Sequence, residues 1–349
     1  MNHRSATRIV KLANIIRSSV DGQKQQARSD AEEGTVRLFI ASSSSDKESV
    51  ERQVAEIMAD ETGDEGWKND LGYKSLILEH HMAASRFGFL NLYAPLNESK
   101  SFDTSLRDGS IAELSFLSNV ISPLIKAHRN GNLFEMSKIV RQYSPLLDKK
   151  VLAAAPEKQM ELLEKADAAV DSLACLWADE KTPTCLEVIR AVQKSGLFKL
   201  SERTDYILTQ ASANEDVKVT ALREALSISF DELEKYSEYV TDKTRFATHQ
   251  GIKGLEFPRV MVIMDDTEAR GFLFSYEKLL GAKDKSDTDI RNEREGKDTT
   301  IMRTARLFYV ACTRAEKSLA VVAYTKNADA VKNTALANKW FSENEICIV

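Results

Sequence analysis

Residues 248–257 read THQGIKGLEF, and the short apolar run VMVIM follows them at 260–264. Further along the chain, residues 306–315 read RLFYVACTRA and are followed at 319–324 by a second apolar run, LAVVAY. Both runs are short, rich in β-formers and flanked by polar residues, which predicts two buried strands. The first motif is therefore a loop with two glycines ahead of a strand. The second is a helix that ends in Thr-Arg-Ala ahead of another strand.

The two motifs resemble the last two signature motifs of superfamily 1 helicases of the UvrD/Rep type. That family carries T-x-H-x-x-K-G-L-E-F and R-L-x-Y-V-x-x-T-R-A in the same order. Residues 2–5, NHRS, are similar to the family's N-Y-R-S, which opens the second half of the motor. Three motifs in the right order, two of them long, argue against a chance match. The resemblance implies an α/β fold, with a RecA-like parallel-sheet domain of the P-loop NTPase type.

Length and composition narrow the class of protein. The 349 residues fit one large or two ordinary domains, and 43% apolar with 29% charged residues allow a packed core and exclude wholesale disorder. No apolar run approaches the roughly 20 residues that span a bilayer, and the N-terminus lacks the apolar core of a signal peptide. The four cysteines show no CxxC spacing, which predicts an intracellular, cytoplasmic chain with reduced thiols and no zinc or other metal site. The net charge of −5 argues against bulk DNA coating, so any contact with nucleic acid would be confined to a local groove.

The periodicity of apolar residues changes along the chain. Runs at 36–41 and 75–78 read as strands separated by a helical pattern, which is the alternation of an α/β domain. From about residue 110 to 239, apolar residues recur at helical spacing without strand runs between them. Residues 265–300 are highly charged, which predicts a surface insertion. The apolar triplet at 272–274 is expected to pack back on the core; the alternative is that it contacts a partner.

These changes predict two domains. A discontinuous RecA-like domain is expected at residues 1–100 and 242–349, and an all-helical insertion subdomain at 101–241. UvrD-like helicases carry an all-helical subdomain inserted at this point of their second RecA-like domain. The match to the family in this region depends on position and helicity, since no motif falls there.

The resemblance implies a nucleotide site built from four residues. The family brings two arginines from its second half across the cleft onto the γ-phosphate of ATP, and by motif position these are Arg4 and Arg314, the expected catalytic residues. A guanidinium suits this role because it stays charged and grips phosphate bidentately. Glu256 matches the residue that contacts the ribose, and Gly254 completes the expected ATP-binding set because it lets the backbone turn tightly. The alternative is that these side chains form ordinary surface ion pairs.

The resemblance also implies a contact with DNA at residues 248–250. Thr248 matches the residue that touches the DNA backbone, although it could instead merely end a strand. The family's histidine is replaced by Gln250, and a histidine occurs one position early, at His249. All three residues are candidates for DNA binding.

Two expected motifs are absent. The sequence contains no G-x-x-x-x-G-K-[ST] phosphate loop and no strand that ends in Asp-Glu to hold Mg²⁺. Asp265 and Asp266 follow a strand, but at a place where the family has a loop. The chain is therefore expected to be the C-terminal half of a helicase, with the phosphate loop and the Mg²⁺ ligands of the ATP site on an N-terminal half.

Two functions remain open. The first is the C-terminal motor half of an ATP-dependent DNA helicase or translocase, whose partners are an N-terminal helicase domain, in cis or in trans, and single-stranded DNA or DNA with single-stranded tails, and not a membrane. The second is a non-enzymatic module, derived from a helicase, that binds DNA or protein. The missing phosphate loop and the acidic charge favour the second, whereas the presence of Arg4, Glu256 and Arg314 favours the first.

Overall fold

The structure is a computed structural model that describes residues 4–18, 23–154, 156–208, 216–249, 251–252, 254–268 and 273–349. Its N-terminal segment contains the helix α1 (Thr7–Ser18), the strand β1 (Thr35–Ser42), the helix α2 (Lys47–Thr62), the strand β2 (Lys74–Ile77) and the helix α3 (His80–Phe87). Helix α2 begins where Asp46 accepts a hydrogen bond from the amide of Ser49 at 3.0 Å, and it ends at Gly63, whose φ is 64°. Both predicted strands of this segment are therefore present, each lengthened or shifted by a residue.

The middle of the chain is helical. It contains α4 (Leu90–Glu98), α5 (Asp103–Asp108), α6 (Ala112–Phe116), α7 (Ser122–Arg129), α8 (Leu133–Tyr143), α9 (Lys149–Ala154), α10 (Gln159–Ala174), α11 (Cys185–Ser195), α12 (Glu202–Leu208), α13 (Val217–Leu226) and α14 (Phe230–Val240). Among the described residues of this segment the only β-type pairing is a single antiparallel bridge between Thr184 and Ser229.

The C-terminal segment returns to strand–helix alternation. It contains β3 (Phe246–Thr248), β4 (Phe257–Met264), α15 (Tyr276–Leu279), α16 (Asp287–Arg294), α17 (Thr300–Cys312), β5 (Ala315–Thr325), α18 (Ala328–Ala337) and β6 (Ile346–Ile348). The apolar runs at 260–264 and 319–324 lie in the buried parts of β4 and β5. In the described chain no helix is long and apolar enough to cross a membrane.

All six strands join one parallel sheet in the order β3-β2-β4-β5-β1-β6. Strands β1 and β2 come from the N-terminal segment and the other four from the C-terminal segment, so the helical segment is an insertion between β2 and β3. The inner strands β4 and β5 are buried almost throughout, as expected of a parallel sheet covered on both faces by helices. The fold is the predicted α/β, RecA-like parallel sheet interrupted by helices.

The chain divides into two compact units, Met1–Arg86 with Asp242–Val349 and Phe87–Thr241. The boundary between the first and second units lies between Arg86 and Phe87, earlier in the chain than the expected boundary between residues 100 and 101. The reason is that α4, whose Leu92, Tyr93 and Leu96 are buried, packs on α13 and α14 of the helical unit.

Candidate nucleotide site and DNA-contact loop

Glu256 and Arg314 occupy equivalent places on neighbouring strands. Glu256 directly precedes β4 and Arg314 directly precedes β5, and the two strands are adjacent and parallel, with Phe257 paired to Ala315. The amide of Phe257 donates to the carbonyl of Arg314 at 2.8 Å, which extends the pairing to the residues themselves. The two motifs are therefore brought together by the sheet, at the edge where its strands begin.

The guanidinium of Arg314 is held by three acceptors. Its Nε donates to the carbonyl of Val310 and its NH2 group to the hydroxyl of Thr313, both at 3.1 Å, within the last turn of α17 and its end. Its NH1 group donates to the carbonyl of Leu255, also at 3.1 Å. A cation suits the carboxyl end of a helix, where the last carbonyls lack partners and the helix dipole is negative. Arg314 thus fastens the end of α17 to the loop that carries Glu256.

Arg4, near the N-terminus, contacts the same loop through Glu256. Its NH1 group donates to Oε1 of Glu256 at 2.5 Å; the Arg4 side chain is 60% exposed and the Glu256 side chain 18% exposed. Two residues after Arg4, the amide of Ala6 donates to the carbonyl of Glu316 at 2.7 Å, which fixes this part of the chain beside the start of β5. The structure therefore brings together Arg4, Glu256 and Arg314, the three charged residues expected to bind a nucleotide.

Gly254 lies in the loop ahead of Glu256 with a φ of 84°. A Cβ at this position would meet no atom within 4 Å, so space is not the constraint. The constraint is the left-handed backbone, which glycine adopts without strain and most other residues do not. Gly254 is thus suited to the tight turn that sets Leu255 and Glu256 beside Arg314.

This arrangement fits a nucleotide chemically. Two guanidinium groups and one carboxylate lie at one edge of the sheet, where the carboxylate can accept from a ribose hydroxyl and the guanidinium N–H groups can donate to phosphate oxygens. Each nitrogen of Arg314 already donates to an acceptor in the protein, so Arg314 would offer its remaining N–H groups or exchange these partners. Glu256 is engaged by Arg4 in this structure, so the carboxylate can reach a ribose only if it shares or exchanges that partner.

The expected DNA contact begins at the end of the edge strand β3. Thr248 is 8% exposed, and both its carbonyl and its Oγ1 accept hydrogen bonds from the amide of Gly251, at 3.0 and 3.1 Å. A hydroxyl that accepts in this way can still donate its own proton to a phosphate oxygen. Gln250 lies outside the described residues.

His249 is the expected DNA-binding residue that the structure corrects. Its amide donates to the carbonyl of Ile77 at 2.9 Å, which continues the pairing of β3 with β2, and its side chain is fully buried. Its Nδ1 is 2.8 Å from the hydroxyl of Tyr276. A ring enclosed in this way cannot touch DNA, so His249 is a residue of the interior. Tyr276 itself lies in the charged segment expected to be a surface insertion, and no spacing in the sequence pointed to it.

Asp265 and Asp266, which follow β4, have structural partners. Asp265 accepts from the amide and hydroxyl of Thr267, and its Oδ2 is 3.1 Å from Nζ of Lys47. Burial alone would raise the pKa of Asp265, but these hydrogen bonds and positive charges bring its pKa below the usual range. Asp266 accepts from the hydroxyl of Ser275 and the amide of Tyr276. Among the described residues, no group of three or more His, Cys, Asp or Glu is placed to hold a metal ion.

Comparisons with known proteins identify a helicase family. A family model described as the UvrD-like helicase C-terminal domain matches residues 127–326, a range that includes Thr248, Glu256 and Arg314 but not Arg4. Gabija protein GajB of Bacillus cereus (strain HuB5-5) is 23% identical to the chain over 363 residues, which cover 92% of this chain and 48% of that protein. The chain thus spans about half the length of the curated relative it matches.

Proposed function

Because the chain belongs to the UvrD-like helicase C-terminal domain family, we propose that it is the second motor half of an ATP-dependent DNA helicase or translocase. Another domain, in cis or in trans, supplies the phosphate loop and the ligands of Mg²⁺. The cleft between that domain and this one closes when ATP binds and opens after hydrolysis, and this cycle moves the protein along DNA.

The observation that supports the proposal most is the meeting of Arg4, Glu256 and Arg314. They come from three distant parts of the sequence. Arg4 donates to Glu256 and Arg314 donates to the carbonyl of Leu255, so both arginines contact the loop that precedes β4. A module that only bound DNA would not require two guanidinium groups and a carboxylate at one exposed edge. In the proposed reaction ATP supplies a phosphoryl group whose charge must be stabilised as it leaves, and Arg314 and Arg4 provide that positive charge. Glu256 binds the ribose.

The proposed contact with DNA is made through the backbone of a single strand. Thr248 donates its hydroxyl proton to a phosphate at the carboxyl end of β3, and Gln250 is a second candidate donor. The protein's net charge of −5 is consistent with a confined contact of this kind. Substrates would be single-stranded DNA or duplexes with single-stranded tails.

The decisive experiment is reconstitution. The reading frame upstream of this chain, or a neighbouring one, is searched for a domain with G-x-x-x-x-G-K-[ST], and the two parts are expressed as one polypeptide or mixed. Release of phosphate from ATP, stimulated by single-stranded DNA and dependent on both parts, supports the proposal. DNA binding without turnover by the reconstituted protein would instead support a non-enzymatic module.

A further inference from the structure

The hydrogen bond between His249 and Tyr276 joins two loops at the carboxyl edge of the sheet. His249 follows β3, and Tyr276 begins α15 in the segment after β4. Between these strands in the sheet lies β2, to which His249 is attached through the carbonyl of Ile77. The side-chain pair therefore spans β2 and connects the loops of the two strands on either side of it.

The pair is enclosed and geometrically defined. His249 is 0% and Tyr276 1% exposed, and their rings meet edge to face, with 5.9 Å between centroids and an interplanar angle of 77°. Burial lowers the pKa of His249 to about 4, an effect that the backbone of Leu76 partly offsets, and burial raises the pKa of Tyr276 well above its usual range. Near neutral pH both groups are uncharged, so a single neutral hydrogen bond of 2.8 Å joins them.

Tyr276 is itself firmly held. Its amide donates to Oδ1 of Asp266 at 2.8 Å, and the amide of Ser275 donates to the hydroxyl of Thr304 in α17 at 2.9 Å. Asp266 lies just past the end of β4, so these bonds tie the backbone at the start of α15 to an inner strand and to a core helix. Tyr276 is a fixed point, and the loop after β3 is what the hydrogen bond positions.

The loop that it positions is the one proposed to bind DNA. His249 follows Thr248 directly, and the amide of Gly251 closes the turn onto the carbonyl and hydroxyl of Thr248. Strand β3 has three residues and lies at the edge of the sheet, so pairing with β2 alone gives this turn little support. A buried anchor one residue after the strand would compensate for that.

We infer that His249 and Tyr276 are a positioning pair that holds the turn from Thr248 to Gly251 in the shape that binds the backbone of single-stranded DNA. The inference rests on the proposed role of Thr248. Neither His249 nor Tyr276 touches DNA; they act by keeping the hydroxyl of Thr248 and the amide of Gly251 in place. Losing the anchor leaves a buried polar group without its partner and frees the turn, and both effects weaken binding.

The test uses the full chain and a fluorescently labelled oligothymidylate. Tyr276→Phe removes only the phenol oxygen, and His249→Leu removes the imidazole. We expect each to weaken DNA binding by about tenfold, and the double variant to be no weaker than the worse single variant, because both remove the same bond. His249→Asn, which can place an amide group near the position of Nδ1, should recover most of the affinity.

The matched control is Tyr236→Phe. Tyr236 is also a buried tyrosine, and its hydroxyl donates to the carbonyl of Leu106 at 2.8 Å within the helical unit. This variant should lose comparable stability and keep the DNA affinity of the wild type. The inference would be overturned if Tyr236→Phe and Tyr276→Phe weakened DNA binding equally. It would also be overturned if the effects of His249→Leu and Tyr276→Phe on DNA binding were strictly additive in the double variant.

A second measurement does not depend on DNA. Hydrogen exchange is followed by mass spectrometry on peptides that contain Gly251, whose amide closes the turn. Tyr276→Phe should speed exchange there by about tenfold, while Tyr236→Phe should leave it unchanged. If Tyr276→Phe leaves the rate of hydrogen exchange at Gly251 unchanged, the inference is wrong, even if the wild-type protein binds DNA. Faster exchange in a protein whose wild type fails to bind DNA would instead sink the proposed function and leave the anchoring of the turn intact.

Discussion

Arg4 and Glu256 are 252 positions apart in the chain, and NH1 of Arg4 donates to Oε1 of Glu256 at 2.5 Å. The short motif at the start of the chain and the long motif near its end therefore meet side chain to side chain. An ion pair this exposed contributes little to the stability of the fold, which leaves a role in ligand binding to be tested. A nucleotide that inserts its ribose and phosphates between the two residues would meet both charges at once.

The first prediction separates stability from function at this pair. Arg4→Ala should change the free energy of unfolding of the chain by less than about 1 kcal/mol, because the Arg4 side chain is 60% exposed and solvent screens the pair. In the reconstituted motor the same variant should clearly reduce turnover. Urea denaturation followed by circular dichroism gives the first quantity and phosphate release the second. A large loss of stability with normal turnover would assign Arg4 a structural role only.

The second prediction is that this chain alone does not hydrolyse ATP. The sequence contains no phosphate loop, and among the described residues no group of three or more His, Cys, Asp or Glu is placed to bind Mg²⁺. Purified chain is assayed for phosphate release with and without single-stranded DNA. Turnover above background that survives Arg314→Ala would contradict the assignment of a half motor.

Much of this architecture follows from the sequence, for identifiable reasons. The runs that became β4 and β5 are continuous and apolar because both faces of the sheet are covered, and once they are adjacent and parallel the residues just before them, Glu256 and Arg314, must meet. The edge strands β3 and β6 have three residues each, too few to show a pattern above the surrounding sequence.

Two details could not be read from the sequence because they depend on distant packing. An apolar stripe on α4 indicates a buried face but not which neighbours cover it, and these prove to be helices of the insertion. The buried His249 is hydrogen-bonded to Tyr276, 27 positions away in a segment whose charge suggests a surface loop. In that segment Leu273, expected to pack on the core, is 50% exposed, whereas Phe272 lies outside the described residues.

The third prediction concerns a buried ion pair in the RecA-like unit. Nε of Arg86 donates to Oε1 of Glu51 at 2.6 Å, and the two side chains are 4% and 1% exposed. Burial raises the pKa of Glu51, although the charge of Arg86 opposes this, so Glu51 depends on its partner to stay ionised. Arg86→Leu should lower the free energy of unfolding by about 3–5 kcal/mol because it strands a buried carboxylate.

The double variant Arg86→Leu with Glu51→Leu should recover the part of that loss that comes from the stranded Glu51 carboxylate, whereas Asp265 and Glu268, which also pair with Arg86, lose that partner in both variants. A matched control on α2 is Arg52→Ala, whose partner Glu48 is 2.9 Å away and whose pair is about two-thirds exposed, at 67% and 68%. Arg52→Ala should cost less than about 0.5 kcal/mol. If the double variant is as unstable as Arg86→Leu alone, the loss does not come from a stranded Glu51 carboxylate.

The fourth prediction is a pH dependence at the start of β6. Burial alone would raise the pKa of Glu345 above its ordinary value of 4.5. The carboxylate accepts hydrogen bonds from Arg8, at 2.6 and 2.8 Å, and from the amide and hydroxyl of Ser342, both at 2.8 Å. These hydrogen bonds lower the pKa of Glu345 to about 2. A carboxylate whose pKa is lower in the folded state stabilises the fold above the unfolded pKa. That stabilisation is lost as the pH falls from about 4.5 towards 2.

Glu345→Gln should therefore be less stable than the wild type at neutral pH, and the difference should shrink across that acidic window. Urea denaturation at a series of pH values measures it. Glu343→Gln is the control, because Glu343 lies two residues away, is 78% exposed and pairs with Lys332 at 3.0 Å. A difference between Glu345→Gln and the wild type that stays constant down to pH 2 would refute the assignment.

The last prediction is about Arg314 in the reconstituted motor. Arg314→Ala should reduce turnover far more than it weakens nucleotide binding, because an arginine that faces the γ-phosphate acts mainly on charge that develops in the transition state. Such residues contribute about 10³–10⁵ in rate where they have been measured. Arg314→Lys should restore little, since an ammonium cannot reproduce the planar fork. Steady-state turnover and nucleotide affinity are measured on each variant.

Two controls exclude a merely structural effect. Arg314 also closes the end of α17 through Val310 and Thr313 and bonds the carbonyl of Leu255, so its loss could loosen that loop. Arg314→Lys keeps the positive charge at this helix end and should melt close to the wild type, which separates folding from turnover. Arg303→Ala removes another arginine of α17, whose Nε donates to the carbonyl of Leu273 at 3.0 Å, and should leave turnover unchanged. If Arg314→Ala keeps turnover within a few-fold of the wild type and abolishes DNA affinity, Arg314 belongs to the DNA path and not to the nucleotide site.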